Sequence, residues 1–200
     1  MAESTTRDTI LAAIRRGKPD VQPLPATIGF APNMASDQFA DTFLTMVKNN
    51  GGQAIRVTSL DEVNAFLGNE YDLTLPVLSR VSGLDISNFT PAEDLRLLDD
   101  LHLVVLEGKV GVAENAAIWV DEPVMGIRAL PFITLNLALV VSEKNIVGNM
   151  HQAYPRIDTS VGFGAFIAGP SKTADIEQSL VIGAHGSKTL TVFLLADAGH

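Results

Sequence analysis

Six short apolar runs, each almost uninterrupted by polar residues, place the strongest constraint on how this chain folds. They are Tyr71 to Leu78, Leu101 to Leu106, Ala116 to Val120, Leu135 to Val141, Phe163 to Ala168 and Leu190 to Leu195. Such runs are typical of strands buried on both faces, which occur mainly in parallel sheets covered by helices. We therefore predict an α/β fold with an open, mostly parallel sheet and helices on both faces.

Helix signals before the first long run strengthen this prediction. Ser36 precedes apolar residues at helical spacing, and Gly51-Gly52 ends that pattern. Ser59 and Glu62 have the spacing of a capping box, in which two side chains satisfy free backbone N–H groups at the start of a helix. The sequence therefore predicts helices that begin at Ser36 and at Ser59, with a short strand between them.

The end of the chain has the pattern of a strand–helix–strand unit. The run Phe163 to Ala168 is followed by a Gly-Pro turn, a predicted helix from Ser171 to about Gly183, and the returning strand Leu190 to Leu195. A helix between two strands favours parallel pairing. This topology would place Ser171 and His185 at opposite edges of the sheet.

The segment from Val104 to Val120 interrupts the alternation of strands and helices. Glu107-Gly108-Lys109 and Glu114-Asn115 are turn-forming sequences between short apolar runs, with no room for a helix. We predict an antiparallel hairpin inserted here.

Residues 1–35 are predicted to form a separate N-terminal segment, and residues 36–200 the α/β domain. Apolar residues on one face, together with Thr5 and Asp8 at capping-box spacing, indicate a helix from Ser4 to Arg16. The stretch from Lys18 to Pro32 contains four prolines and no period, which favours an extended arm.

Charge and composition exclude several classes of function. Fourteen Lys and Arg residues against 23 Asp and Glu residues give a net charge of −9, which opposes binding to nucleic acid. These 200 residues contain no cysteine, so thiolate metal sites and iron–sulfur clusters held by this chain's own thiolates are excluded. No apolar run reaches the roughly 18 residues of a membrane span, and the first residues do not resemble a signal peptide. We expect a cytoplasmic protein with no membrane span.

The first candidate site lies at the start of the last predicted helix. Ser171, Lys172 and Thr173 would follow a strand at the carboxyl edge of the sheet, where open α/β folds bind ligands. Free N–H groups of a first helical turn attract anions, so a small carboxylate or phosphate ligand is expected, with Asp175 and Glu177 also at the site. The alternative is ordinary capping, because both acids favour a helix N-terminus and would repel a phosphate.

A second candidate site is the Glu114-Asn115 turn. A partly desolvated glutamate acts as a general base or as a nucleophile, so Glu114 is the catalytic candidate and Asn115 a ligand-binding one. The alternative is a surface turn with no chemical role. His151 follows the strand that ends at Val141 and is expected at the ligand edge. Because the histidines do not recur at metal-ligand spacing, no intrinsic metal site is expected.

Three longer motifs resemble a known family. They are Gly111 to Val120 (GVAENAAIWV), Ile146 to Tyr154 (IVGNMHQAY) and Phe163 to Gly186, which begins FGAFIAGPSKTADIEQ. In this order and spacing, over roughly residues 36 to 197, they resemble the LUD domain of the lactate-utilisation protein C family. The resemblance implies a fold related to the superfamily of glucosamine-6-phosphate deaminase, ribose-5-phosphate isomerase and the CoA-transferases.

The resemblance also implies a function. Members typically belong to a bacterial system, encoded with two iron–sulfur proteins, that oxidises L-lactate to pyruvate. We expect a component of such a system, acting on lactate or a similar 2-hydroxy acid, with no intrinsic cofactor and with iron–sulfur clusters only in partner proteins. Two alternatives stay open: a non-catalytic assembly subunit for the iron–sulfur partners, and a transferase or isomerase acting on an acyl-CoA or a sugar phosphate.

Overall fold

The computed structural model describes residues 6–20, 22–23, 30–91, 95–173 and 181–196. The chain forms two compact units, Met1–Phe30 and Ala31–His200. The first unit contains helix α1 (Thr6–Arg16), with Arg15 and Arg16 in its last turn, where basic side chains favour the helix dipole. The predicted cap residue Thr5 lies outside the described residues.

The second unit alternates strands and helices. Its described strands are β1 (Gln53–Val57), β2 (Val77–Ser79), β3 (Leu103–Gly108), β4 (Val110–Val112), β5 (Ile118–Asp121), β6 (Asn136–Ser142), β7 (Ile146–Val147), β8 (Gly164–Ile167), β9 (Lys172–Thr173), β10 (Val181–Ile182) and β11 (Thr189–Leu195). Its described α-helices are α2 (Phe39–Asn49), α3 (Leu60–Glu70), α4 (Glu122–Met125), α5 (Leu130–Ile133) and α6 (Met150–Ala153). Short 3-10 turns cover Ser36–Gln38, Leu95–Asp100, Glu143–Asn145 and Tyr154–Arg156.

The main sheet has five parallel strands in the order β1-β11-β6-β3-β2. Strand β11 lies inside the sheet, between β1 and β6, and pairs with β6 along its whole length from Thr189 to Leu195. The buried apolar runs therefore form parallel strands, which confirms the predicted mostly parallel α/β class.

Helices cover both faces of this sheet, as predicted. On one face, Val63 and Leu67 of α3 pack with Phe193 and Val105. On the other face, α2 and the β4–β5 hairpin pack in one cluster against strand residues that include Leu139. Because neighbouring residues of a strand point to opposite faces, every second residue contributes to each core.

A second sheet contains four strands in the order β7-β4-β5-β8. Its centre is the predicted antiparallel hairpin, in which Val110 pairs with Trp119. Strand β8 is antiparallel to β5 in this sheet, so its prediction as a parallel neighbour of β11 is wrong. An apolar run shows that a strand is buried, but the sheet it joins depends on contacts distant in sequence. Here Gly164 lies against the Trp119 ring, where a Cβ atom would come within 2.2 Å.

The predicted helix start at Ser171–Thr173 is also wrong. Lys172 and Thr173 form β9, which pairs antiparallel with β10, and residues 174–180 lie outside the described residues. The Ser171 N–H group, expected to be free for an anion, donates to the Ser187 carbonyl oxygen at 2.9 Å. Ser171 therefore lies beside the segment that contains His185, and not at the opposite edge of the sheet.

The two predicted helix starts in the first half of the domain differ in outcome. Ser59 caps α3 as predicted, because its hydroxyl accepts the Glu62 N–H at 3.3 Å. The Glu62 carboxylate accepts from the backbone and hydroxyl of Thr58, which lowers its pKa. Ser36 does not cap α2, because a 3-10 turn over Ser36–Gln38 separates it from the first residue of the helix.

Candidate functional site

The Glu114-Asn115 turn has a tightly defined backbone. The Asn115 side-chain oxygen accepts the N–H of Ala117 at 2.9 Å, and the N–H of Ala116 donates to Val112 at 2.8 Å. Ala116 has a φ of 56°, a left-handed conformation that costs an alanine about 1–2 kcal/mol. The turn is therefore held in one shape by its own hydrogen bonds and by burial of Ala116.

Glu114 links this turn to the start of α6. Its side chain is exposed, and its Oε1 accepts the N–H of Met150 at 2.8 Å. The Glu114 N–H donates to the Gly148 carbonyl oxygen at 3.1 Å. His151, also exposed, is the next residue after Met150. The predicted catalytic carboxylate thus lies at the beginning of the helix that carries His151, and one of its oxygens has a structural partner.

Asn50, a residue that did not stand out in the sequence, joins the two predicted sites. Its Nδ2 donates to the carbonyl oxygen of Asn115 at 2.8 Å. Its own backbone oxygen accepts from the Lys172 ammonium. Asn115 and Lys172 are therefore brought together although Lys172 is not in a helix. An asparagine before Gly51-Gly52 is the available sequence signal.

The other residues of the predicted anion site have separate environments. Ser171 is partly buried, and its backbone carbonyl accepts the N–H of Gly183 at 3.0 Å. Thr173 is partly buried and pairs with Val181. Asp175 and Glu177 lie outside the described residues. Residues 171–173 thus belong to the antiparallel ribbon that β9 and β10 form.

A cleft of about 760 Å³ opens beside this ribbon, at the amino ends of the main-sheet strands. We call it the amino-edge cleft. Its polar lining includes Lys48, Gln53, Tyr71, His102, Asn136, Lys188, Thr189 and Thr191. Gly51, which also lines the cleft, is close enough to Lys172 for a Cβ atom to lie 3.4 Å from the ammonium nitrogen. The cleft and the Asn50 contact are therefore adjacent.

Two hydrogen-bonded networks shape the floor of the amino-edge cleft. In one, the Thr189 hydroxyl donates to Asn136 Oδ1 at 2.7 Å, and Asn136 Nδ2 donates to the His102 carbonyl oxygen at 2.8 Å. In the other, the Tyr71 hydroxyl bonds to the Thr191 hydroxyl at 2.8 Å. The Tyr71 and His102 rings are 6.3 Å apart, edge to face. The two networks hold the polar groups of neighbouring strands at one end of the sheet.

Charges of both signs line this cleft. Lys48 and Lys188 are exposed, as are Glu70 and Asp72 at the end of α3. The hydroxyl and backbone N–H of Thr74 bond to Asp72 and lower its pKa, so this carboxylate stays ionised near neutral pH. The cleft therefore has distinct cationic and anionic groups.

Sequence reasoning missed the cleft because it expected a ligand at the carboxyl edge of the sheet. The available signal was polar residues inside apolar runs: Asn136 lies within the run that begins at Leu135, and Thr191 within the run that begins at Leu190. Both are buried, at 7% and 1% exposure. Buried polar groups need partners, so their presence in strands marks an unusual local environment.

Over residues 6–20, 22–23, 30–91, 95–173 and 181–196, His, Asp and Glu side chains do not gather in groups of three that would hold a metal ion. In the same part of the chain, every helix is too short or too polar to cross a bilayer.

The fold and the site define a layered α/β domain with a second, smaller sheet and a polar cleft at the amino edge of its parallel sheet. The family model described as the LUD domain matches residues 94–195, just over half of the sequence. The chain belongs to the LUD domain family.

The chain is also similar in sequence to curated proteins named Lactate utilization protein C. The chain is 31% identical to Lactate utilization protein C of Bacillus pumilus (strain SAFR-032) over 112 residues, which cover 52% of this chain and 46% of that protein. It is 32% identical to Lactate utilization protein C of Geobacillus thermodenitrificans (strain NG80-2) over 77 residues, covering 35% of this chain and 32% of that protein. The match thus spans less than half the length of these relatives.

A solved structure is similar in fold. It is a DUF162 family protein from Deinococcus radiodurans, with a TM-score of 0.61 and 17% sequence identity. The similarity covers 81% of this chain and 99% of that one. The relation to the deaminase, isomerase and CoA-transferase superfamily stays a prediction.

Proposed function

We propose that this chain is a component of a bacterial system that oxidises L-lactate, or a similar 2-hydroxy acid, to pyruvate. Membership of the LUD domain family and relatives named Lactate utilization protein C support this proposal. The observation that carries its site is that Asn50 joins Asn115 to Lys172, both of which lie in the segment that the family model matches.

A small carboxylate or phosphate ligand would bind beside this contact. The Lys172 ammonium has three N–H donors, and its bond to Asn50 uses one of them. The remaining two can form charge-assisted hydrogen bonds with an anion, and these are the stronger kind. The hydroxyls of Ser171 and Thr173 lie on the same short segment and would add polar contacts, with His151 on the Glu114 side of the turn.

Glu114 is the proposed general base or nucleophile. Its Oε1 holds the N–H of Met150, and among the described residues nothing bonds to its Oε2. A carboxylate fixed through one oxygen presents the other in a defined direction, which favours proton transfer from the hydroxyl group of a bound 2-hydroxy acid to Glu114. The proposed site therefore combines an oriented carboxylate with a cation.

Iron–sulfur proteins are the proposed partners. Oxidation of lactate to pyruvate releases two electrons and two protons, so an electron acceptor is needed. These 200 residues contain no cysteine, and iron–sulfur clusters are held mainly by cysteine thiolates. The electrons would therefore pass to clusters bound by partner chains.

Growth on L-lactate tests the proposed function. A strain that lacks this gene should fail to grow on L-lactate as sole carbon source, and the wild-type gene should restore growth. The Glu114→Gln and Lys172→Gln genes should restore little growth. Glu107→Gln, at an exposed strand position, is the matched control and should restore growth fully. Normal growth of the deletion strain would refute the proposal, and full rescue by Glu114→Gln would exclude a chemical role for that carboxylate.

A dye-reduction assay tests whether oxidation of L-lactate requires the partner proteins. The purified chain alone should contain no iron and should not reduce an artificial electron acceptor with L-lactate. Addition of the two iron–sulfur proteins proposed as its partners should produce turnover. Turnover by the isolated chain would contradict this arrangement, whereas partners fully active without it would favour the assembly role.

A further inference from the structure

We infer that the amino-edge cleft is itself a binding site for a small organic anion, whose carboxylate or phosphate group is held by Lys188 and the Asn136 amide. This site is distinct from the Lys172 contact. The inference does not depend on lactate being the substrate, because it follows from the hydrogen-bonding groups and charges of the cleft.

The main sheet changes from apolar to polar at its amino edge. On the face covered by α3, residues that follow at two-residue spacing are apolar, such as Ala138 on β6 and Phe193 on β11. At the amino ends of the same strands, the corresponding positions are Asn136 and Thr191, both buried. Both side chains are hydrogen-bonded, as buried polar groups must be to avoid a cost in stability. The amino ends of these strands therefore present polar groups to the cleft, whereas the rest of the same face is apolar.

The Asn136 network leaves an N–H donor without a partner among the described residues. The Thr189 hydroxyl donates its hydrogen to Asn136 Oδ1. Asn136 Nδ2 donates one hydrogen to the His102 carbonyl oxygen and has a second hydrogen to donate. Among the described residues, no other group bonds to the side-chain amide of Asn136. This side of the cleft therefore presents a fixed donor that lacks an acceptor.

The network of Tyr71, Thr191 and Gln53 also leaves amide N–H donors without partners. Thr191 donates to Gln53 Oε1 at 3.3 Å, so the Tyr71 hydroxyl donates to Thr191. The Gln53 oxygen is then used as an acceptor, while its two N–H donors remain. Both networks thus use up the hydroxyl hydrogens and leave amide N–H donors, which can bond to the oxygen atoms of an anion.

Cations line the cleft on the same side as Asn136. Lys188 is a lining residue together with Asn136 and Thr189, and Lys48 also lines the cleft. In the described part of the chain, the ammonium groups of Lys48 and Lys188 have no carboxylate within ion-pair distance. Glu70 and Asp72 lie together at the end of α3 and would repel an anion there. The anionic group is therefore assigned to the Lys188 and Asn136 side, with Lys48 as a second cation.

The volume of the cleft bears on the size of the ligand. About 760 Å³ is within the range of roughly 300–1,000 Å³ that is usual for small-molecule sites. A molecule as small as lactate would fill only part of this space, whereas a sugar phosphate would fill more of it. The anionic group defines the class of ligand. The experiment therefore includes both a molecule as small as lactate and a sugar phosphate.

Direct titration of the full purified chain tests this inference. The probes are L-lactate, pyruvate, glucose 6-phosphate and inorganic phosphate, followed by calorimetry and by the NMR signal of the Asn136 side-chain amide. At least one organic probe should bind with a Kd of about 1 mM or lower. Lys188→Gln should weaken that binding by about 5-fold to 10-fold, since a charge-assisted hydrogen bond is lost. Asn136→Asp should weaken it further, with thermal unfolding recorded to show that the variant is folded.

Lys144→Gln is the matched control, because Lys144 is an exposed lysine beyond the opposite, carboxyl end of β6. It should leave the Kd unchanged. Failure of all three organic probes to bind at about 20 mM, or equal binding by wild type and Lys188→Gln, would overturn the inference. Binding of glucose 6-phosphate alone would support the site while giving no support to lactate as its ligand. Because growth on lactate is a separate measurement, failure of this site and failure of the proposed function are distinguishable.

Discussion

Asn50 donates a hydrogen bond from its Nδ2 to the carbonyl oxygen of Asn115 at 2.8 Å, across 65 positions of sequence. The bond ties the end of α2 to the turn between β4 and β5. Since the Asn50 carbonyl also accepts from Lys172, one residue joins three segments that are distant in sequence. The relative position of the two predicted sites therefore depends on this side chain.

Loss of this side chain should loosen the turn. Asn50→Ala removes the bond to Asn115 and leaves the turn carbonyl without that partner, so the free energy of unfolding should fall by about 1 kcal/mol. Asn49→Ala is the control, because Asn49 is exposed and, within the described part of the chain, its amide bonds only to the Met46 sulfur at 3.7 Å. Urea unfolding midpoints compare the two variants. Equal midpoints would show that the Asn50 bond has no net effect on stability.

Two glycines should respond to alanine in opposite directions. A Cβ atom at Gly164 would lie 2.2 Å from the buried Trp119 ring, so Gly164→Ala should destabilise the domain by about 1–3 kcal/mol. At Gly68, inside α3, a Cβ atom would meet only Leu73 at 3.9 Å. Gly68→Ala should therefore stabilise by roughly 0.5–1 kcal/mol through helix propensity. Thermal unfolding of both variants checks the signs, and a tolerated Gly164→Ala would contradict the close contact with Trp119.

The structural and chemical roles of Glu114 are separable by two substitutions. Glu114→Gln retains an oxygen that can accept the Met150 N–H, so the unfolding temperature should stay nearly constant while the charge is lost. Glu114→Ala removes the acceptor and should cost about 1 kcal/mol. Growth on lactate should be lost in both variants. If Glu114→Gln were as unstable as Glu114→Ala, the loss of growth would reflect folding and not proton transfer.

An ion pair in the α4 region should make stability depend on pH. Arg128 donates to both oxygens of Glu122, at 2.8 and 2.9 Å, and these bonds lower the pKa of the Glu122 carboxyl. A carboxyl whose pKa is lower in the folded state stabilises it above the unfolded pKa of about 4.3. That contribution disappears as the pH falls through the lower folded pKa.

The measurement is the difference in melting temperature between wild type and Glu122→Gln from pH 7 to pH 3. The difference should be present at neutral pH and should shrink towards zero below about pH 4. Glu107→Gln, an exposed carboxylate in β3, serves as the comparison. A difference that stays constant over the whole range would show that the Glu122–Arg128 pair does not contribute through ionisation.

Local sequence determined several strands and helices of the α/β domain. The run Leu190 to Leu195 became β11, and Ser59 with Glu62 placed the start of α3, because burial and capping depend on residues close in sequence. The strand at Phe163 to Ala168 was also found. Its assignment to the parallel sheet was wrong, since an apolar run has no information about which partner strand it pairs with.

The sequence by itself also determined the family, through motifs that the LUD domain model matches. The site residues stay predictions, and only the tertiary structure decided which of those groups meet. Ser171 and Lys172 can start either a helix or a ribbon, and pairing with Val181 and Ile182 selects the ribbon. The amino-edge cleft exists because parallel pairing aligns the ends of strands that are far apart in the chain. Spacing along one strand cannot specify that alignment, which arises from long-range packing of the whole domain.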